Sequence, residues 1–374
     1  MVQKSSSTAG LRGLVAGETA LCTVGVTGSG LTYCGYDIAE LAAKSTFEEV
    51  AFLLQFQKLP TRTELDNYLV RLASKRVLPK ALCEVLERIP KTSHPMDVMR
   101  TGCSVLGTLE PERTFHEQDE HIENMLAKFP GILTYWYHFH FNQKSINTDS
   151  DASSIAEHFL TLLTGKKPES LSVSALQASL ILYAEHEFNA STFAARVAAS
   201  TLTDIYSAVT AAIGTLRGPL HGGANEAAMA LISSFDNPDD AEQKLMAMLA
   251  AKEKIMGFGH AVYRLSDPRN VVIKEWSRKI SQQVGNMALF NISERCEQVM
   301  WREKELFPNA DFYHASTYHH MGIPTDLFTP IFVMSRVSGW VAHVKEQRAN
   351  NRIIRPNADY IGSEPRAYVS ISER

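Results

Sequence analysis

Apolar residues recur at three- and four-residue steps along most of this chain. From Ile38 onward, Leu41, Ala42, Phe47, Val50, Ala51, Leu54 and Phe56 keep that spacing. The pattern marks one buried helix face after another. Pro60-Thr61 opens the next helix, and 81–89, 96–109, 121–141, 174–185, 191–199 and 204–216 show the same period. Glycines and prolines fall mostly between these stretches, as breakers. Residues 110–120 and 143–153 are polar and charged and predict loops. Thr329-Pro330 predicts a helix start, with Thr as cap and Pro in the first position. Leu327, Ile331, Met334, Val337, Val341 and Val344 then form a buried stripe, with Arg336 beside it. The one clear β signal is early. Runs at 19–24 and 31–33 flank Gly25-Val26-Thr27-Gly28-Ser29-Gly30, a hairpin pattern. A phosphate-loop reading of those glycines fails, because no Lys-Ser/Thr follows and no helix opens after them. Neither βαβ alternation nor a solenoid repeat appears. The expected fold class is mainly α, with a small N-terminal β-hairpin.

Two joints divide the pattern. Gly218-Pro219 stops one helix and Ala224 opens a small-residue helix, which places a boundary near Gly222. A second boundary lies at Gly322-Ile323-Pro324. The roughly one hundred residues between them can pack as their own unit. Residues 1–222 and 323–374 would then form a large helical domain and 223–322 a smaller one.

Composition narrows the function. The chain has 374 residues, 45% of them hydrophobic, enough for a substantial core. Its 37 basic and 41 acidic residues give a net charge of -4. That balance points to no nucleic acid and no membrane surface as partner. Anionic ligands need local clusters of Arg and Lys. Five cysteines, odd in number and without a CxxC, indicate a reduced intracellular protein with no disulfide frame or zinc knuckle. The first ten residues are polar and Ser-rich, without an apolar signal core. No uncharged apolar run reaches about 18 residues, the length of a membrane span. Cytoplasmic localisation is the expectation.

Candidate chemistry sits at the breaks. His221 precedes Gly222-Gly223, His260 ends Gly257-Phe258-Gly259-His260, and Asp311 lies in Asn309-Ala310-Asp311-Phe312. Taken singly, each has an ordinary reading: two loop histidines, and an acid at a helix start favoured by the helix dipole. Together they supply two imidazoles and a carboxylate for proton transfer beside a carbonyl. Arg269, Arg336 and Arg355 follow, and guanidinium forks suit carboxylates. Arg336, on an apolar helix, calls most strongly for an anion. This set suggests carbon–carbon bond chemistry on a small acidic metabolite. His186 does not start a zincin motif, because position 190 is Ala190. His138 and His140 alternate with Trp136, Phe139 and Phe141 and read as aromatic core or interface, not as metal ligands. No Gly-x-Ser-x-Gly elbow occurs.

These segments resemble the citrate synthase family over nearly the whole chain, from Gly10-Leu11-Arg12-Gly13-Leu14 to the tail. The motifs are Gly218-Pro219-Leu220-His221-Gly222-Gly223-Ala224-Asn225, Lys254-Ile255-Met256-Gly257-Phe258-Gly259-His260 and Ser266-Asp267-Pro268-Arg269. Three further runs are most similar to the 2-methylcitrate synthase branch. They are Tyr183-Ala184-Glu185-His186, Val299-Met300-Trp301 and the stretch from Asn351-Arg352-Ile353-Ile354-Arg355 to Asp359-Tyr360. Citrate synthases more often carry Asp where Glu185 stands. Cys34 precedes Gly35-Tyr36-Asp37-Ile38 where the family often has Arg.

The resemblance implies a two-domain helical homodimer whose small domain, 223–322, moves. It implies condensation of propionyl-CoA, or secondarily acetyl-CoA, with oxaloacetate and water. Asp311 would be the base, His221 the stabiliser of the thioester enolate, and His260 the acid at the ketone. His186, Arg269, Arg336 and Arg355 would hold oxaloacetate, with Arg355 coming from the second subunit. CoA contacts would come from Lys254, Ile255, Met256, Gly257 and Phe258, and from the cations Arg264, Arg302 and Lys304. No metal or permanently bound cofactor is implied, with acyl-CoA acting as co-substrate. The competing reading from another class is a catalytically silent helical dimer that binds CoA.

Overall fold

The computed structural model describes residues 13–25 and 30–374. An antiparallel sheet of three short strands opens this part of the chain: β1 (Cys22–Val24), β2 (Leu31–Tyr33) and β3 (Tyr36–Asp37). The first two are the expected hairpin, with Thr23 opposite Thr32, and β3 is an addition to it. The connecting residues Val26-Thr27-Gly28-Ser29, and the Gly10-Leu11-Arg12 of the first family motif, lie outside the described part. Leu21, Leu31 and Tyr33 point into the core.

Helices follow in series. The first group is α1 (Ile38–Lys44), α2 (Phe47–Phe56), α3 (Arg62–Ser74), α4 (Lys80–Arg88), α5 (Pro95–Leu109) and α6 (Gln118–Phe141). Next come α7 (Ile155–Thr164), α8 (Ser170–Tyr183), α9 (Ala190–Ser200) and α10 (Ile205–Leu216). Then follow α11 (Ala224–Ser233), α12 (Pro238–Ala250), α13 (Pro268–Gln283), α14 (Ala288–Lys304), α15 (Ala310–His320) and α16 (Phe328–Ala349). Local chemistry sets many of the ends. Thr46 and Thr61 close capping boxes with Glu49 and Glu64, which satisfies the free N–H groups of a first turn. Asn189, Asp204, Asp267 and Asn309 cap α9, α10, α13 and α15 through their side chains.

Two expectations need correction. Residues 110–120 are not all loop, because a 3-10 turn at Phe115–Glu117 leads straight into α6 at Gln118. The Thr114–Glu117 capping box supplies the start that the polar composition concealed. The last long helix starts at Phe328, not after Thr329. Thr329 lies inside its first turn, and its hydroxyl bonds Glu226 of α11. Pro330 is tolerated there because first-turn N–H groups have no helical partner.

α16 is the axis of the molecule. It packs against α2, α5, α6, α8, α9, α10 and α11. Nearly every residue from Phe328 to Val344 is buried, including Trp340 and Arg336, so the helix is enclosed on all sides and not only along one stripe. Gly339 lets α16 approach the C-terminal end of α8: a Cβ there would collide with the Glu185 carboxylate and the Ala184 carbonyl. Among the later helices, α12 pairs with α14, α11 with α15, and α13 with α15. α13 also lies on α1 and α8, which brings residues 268–283 against the large helical array. Gly339→Ala is expected to lower stability by roughly 1–3 kcal/mol through overpacking, read as a drop in midpoint on thermal or urea unfolding. An unchanged midpoint would refute this close approach.

Candidate active site

The loop between α10 and α11 carries His221. A turn bond from its N–H to the Gly218 carbonyl (2.9 Å) shapes that loop. The imidazole reaches Ser191 at the start of α9, where Nε2 lies 3.2 Å from the Ser191 N–H and 2.8 Å from its Oγ. Ser191 Oγ also accepts from Trp340 Nε1 of α16 at 3.1 Å. A backbone N–H can only donate, so Nε2 is the acceptor and the ring proton resides on Nδ1. His260 shows the reverse. Its Nδ1 accepts from the N–H groups of Val262 (3.1 Å) and Tyr263 (3.3 Å), which leaves the proton on Nε2. Each ring thus has one nitrogen fixed by the protein and one N–H left to donate. Burial, helped by the charge of Arg336, pushes His221 down to about 4. Burial and Arg269 push His260 down to about 4 as well, while Asp267 opposes them. Both imidazoles are neutral donors near pH 7.

His260 belongs to a packed cluster. Its ring centroid is 5.0 Å from that of His186 and 4.6 Å from that of Tyr263. His186 Nε2 lies 3.1 Å from the Tyr263 hydroxyl. Burial, then Arg269, His260 and Arg336, hold His186 well below the usual imidazole range. Arg269 sits over the Tyr263 ring at 6.0 Å. Far from being a surface residue, Arg269 is buried and clamped by Asp267, with Nε at 3.0 Å and Nη2 at 2.8 Å. Asp267 therefore already occupies part of this fork. It also accepts the N–H of Ala310 at 3.1 Å, which joins the arginine to the start of α15.

Asp311 is the second residue of α15. The segment before it is tied to the Gly257–Gly259 turn: Asn309 N–H donates to the Gly257 carbonyl (2.9 Å), and Gly259 N–H to the Phe307 carbonyl (2.8 Å). Gly257 has φ +88°, and a Cβ there would come within 2.7 Å of the Phe312 ring, so only glycine fits. Phe258 packs on Phe312 at 4.6 Å. Gly257, Phe258 and Gly259 are thus held against the start of α15, and Lys254, Ile255 and Met256 lead into that turn. The Tyr183 hydroxyl donates to Asp311 Oδ1 at 2.6 Å. Burial pushes the Asp311 carboxyl above its ordinary range, against the lowering effects of Tyr183, Arg269 and Arg336.

Arg336 enters from α16 and is 1% exposed. Its Nε donates to the Tyr183 carbonyl at 2.6 Å, and among the described residues its two terminal nitrogens make no hydrogen bond. Glu185 supplies the largest compensating charge. Glu185 is held by His343 Nε2 at 2.8 Å, and His343 Nδ1 accepts from Arg196 at 2.9 Å.

His186, His260, Arg269, Asp311 and Arg336 are thus electrostatic neighbours, and His221 feels the same Arg336 charge. Arg355 is not among them. It is exposed in the extended tail after α16 and bonds Asn357 at 2.9 Å. Arg264 and Lys304 are exposed, and Arg302 pairs with Glu242 (2.9 Å) and Glu303 (2.6 Å). His138 bonds the Leu162 and Leu163 carbonyls inside the core. Sequence reasoning missed Tyr183, Ser191, Asp267, Tyr263 and Trp340 as site residues. Only Asp267 had a local signal, as a helix cap before Pro268.

The model for "Citrate synthase, C-terminal domain" matches residues 10–357. The chain belongs to the citrate synthase family. It is 60% identical to a 2-methylcitrate synthase of Shewanella oneidensis over 99% of both chains. It is 42% identical to Citrate synthase 2 of Bacillus subtilis, over 99% of this chain and 100% of that one. Among solved structures, the citrate synthase of Thermoplasma acidophilum, a ternary complex with carboxymethyl coenzyme A and oxaloacetate, superposes with a TM-score of 0.91. That match has 31% identity and covers 98% of each chain. The citrate synthase of Thermotoga maritima gives 0.87 at 36% identity, over 98% and 99%.

The depressed imidazoles have a consequence for acid stability. In the unfolded chain His221 and His260 protonate near about 6.5, but in the folded chain only near 4. Their contribution is therefore whole above about 6.5 and lost as pH falls toward 4. His186, and His314 at about 3, act the same way. Asp311, raised on folding, acts in the opposite direction, but the imidazoles outnumber it. The thermal midpoint should fall between pH 6.5 and 4, less steeply in His260→Gln than in the parent. Equal slopes would contradict the buried neutral state of this ring.

Proposed function

We propose that this member of the family is a 2-methylcitrate synthase, condensing propionyl-CoA with oxaloacetate and water to give 2-methylcitrate and CoA. What supports the reading is a buried carboxylate, two neutral imidazoles each with an N–H left to donate, and a buried guanidinium whose terminal nitrogens bond nothing among the described residues. Asp311 Oδ2, unbonded to protein among the described residues, takes a proton from the acyl α-carbon. Charge moves to the thioester oxygen, where His221 Nδ1–H meets it. A neutral donor suits this task, since it stabilises the enolate without requiring a protonated ring at pH 7. The α-carbon then attacks the ketone of oxaloacetate, and His260 Nε2–H donates to the oxygen that gains charge. Water hydrolyses the resulting thioester and CoA leaves as the thiol.

His186, Arg269 and Arg336 hold the oxaloacetate. Arg336 offers the unoccupied fork, and Arg269 offers the part not taken by Asp267. Arg355 comes from the second subunit of a homodimer. The exposed tail that bears it also exposes Ile353, Tyr360, Ile361 and Tyr368, apolar surface suited to a partner. Lys254–Phe258 line the thioester end of the cleft, and Arg264, Arg302 and Lys304 meet the phosphates of CoA. Residues 223–322 close over the substrates and exclude water. Acyl-CoA is a co-substrate, and the chemistry requires no permanently bound cofactor. Among the described residues no helix is long and apolar enough to cross a membrane, and a cytoplasmic location fits this reading.

The choice of propionyl over acetyl rests on the 60% identity to the Shewanella enzyme. Citrate synthesis from acetyl-CoA is the second reading, favoured by the 42% identity to Citrate synthase 2. One methylene in a pocket is worth only about 1–3 kcal/mol, so both thioesters turn over and the ratio decides. Thiol release with oxaloacetate and each acyl-CoA should give a higher kcat/KM for propionyl-CoA. A clear preference for acetyl-CoA would replace the methylcitrate reading. Release from neither would remove both.

A further inference from the structure

We propose that Tyr183 is a positioning residue for the Asp311 carboxylate, fixing which oxygen acts as base and stabilising its charged form. The idea rests on the condensation reading and extends it to a side chain that touches no reacting atom. The phenol donates to Oδ1 at 2.6 Å, while Oδ2 has no hydrogen-bond partner among the described residues. One oxygen is thus anchored and the other is left for the α-proton. The Tyr183 ring cannot easily turn away. It is stacked between His314 and Phe332, with both centroid distances 4.2 Å and interplanar angles of 29° and 25°. His314 is held in turn by Nδ1 against the Ala310 carbonyl at 2.6 Å. Arg336 fixes the same residue from the main-chain side, through the Tyr183 carbonyl. The base and the oxaloacetate fork therefore share one buried residue, the base through its side chain and the fork through its backbone.

That division makes the two roles separable. The groups facing Asp311 are Tyr183 from α8, Asp267 and Arg269 from the start of α13, and Arg336 from α16. Facing Tyr183 from α15, besides Asp311, is Tyr318, whose hydroxyl bonds Ser179. Removing only the phenol oxygen leaves the stacking, the Arg336 bond and these charges in place. It takes one donor from a buried carboxylate, which disfavours the ionised form.

Tyr183→Phe should lower kcat for propionyl-CoA roughly 10- to 100-fold and move the acid limb of the kcat/KM profile to higher pH. The KM for oxaloacetate should stay within about twofold, since its fork is untouched. Replacing Tyr183 with 3-fluorotyrosine keeps ring and hydroxyl but makes a stronger donor, so the acid limb should move to lower pH. This second substitution keeps the idea testable if Tyr183→Phe folds poorly. An infrared titration of the Asp311 carboxyl band, assigned by its loss in Asp311→Asn, reads the same shifts without turnover. An Asp311 midpoint unmoved in both Tyr183 variants would overturn the proposal. So would a kcat within twofold of the parent in a folded Tyr183→Phe. Failure of the parent to release thiol from any acyl-CoA would instead defeat the condensation reading, and the infrared midpoints would still report on Tyr183.

Discussion

A guanidinium enclosed in protein, bonded among the described residues only to one main-chain carbonyl, is the constraint around which the rest is arranged. Taking a charge out of water costs several kcal/mol unless partners replace the lost hydration. Among the described residues Arg336 makes one hydrogen bond, to the Tyr183 carbonyl, lies over the Phe332 ring at 4.7 Å, and is compensated by the charge of Glu185. Glu185 in turn is secured by His343, and His343 by Arg196, which pairs with Glu346 at 2.6 Å. This chain of buried partners crosses α8, α9 and α16. It holds a positive fork in the interior of a protein whose net charge is -4.

Proton chemistry grows from the same enclosure. Burial keeps His221 and His260 neutral, and the backbone chooses which nitrogen of each ring keeps its proton. It also raises the Asp311 carboxyl toward a stronger base, while Tyr183 limits that rise. One physical cause, removal of water, thus produces both the neutral imidazoles and the raised carboxyl. Their separation in the chain reflects three different supports: a tight loop at Gly218–His221, a turn pinned by Gly257, and the capped start of α15.

Much of this was legible in the sequence. Periodicity located most helices to within a few residues, because most have one apolar face. It misjudged α16, whose burial is nearly complete and whose stripe is only part of its apolar surface. It also placed that helix's start two residues late, because Thr329 bonds across to Glu226 and does not cap. His221, His260 and Asp311 were visible because glycine, proline and asparagine mark their loops. Arg336 stood out as a charge amid apolar neighbours. Tyr183, Ser191 and Trp340 were invisible as site residues, since each lies within or beside a helix and acts across a long-range contact. The double duty of Asp267, holding Arg269 and the start of α15, likewise depends on tertiary placement. The Gly/Pro breaks near 222 and 323 gave no sign of the packing of α13 on α1 and α8.

We propose that the fork of Arg336 receives a carboxylate of oxaloacetate. Calorimetric titration of oxaloacetate into the parent and into Arg336→Met tests it most directly, with folding of the variant checked by circular dichroism. Methionine keeps much of the side-chain volume and removes the fork. Affinity should fall by about 100-fold or more, in line with losing a charge-assisted, bidentate contact in a buried site. A folded Arg336→Met that binds oxaloacetate within a few-fold of the parent would contradict the account.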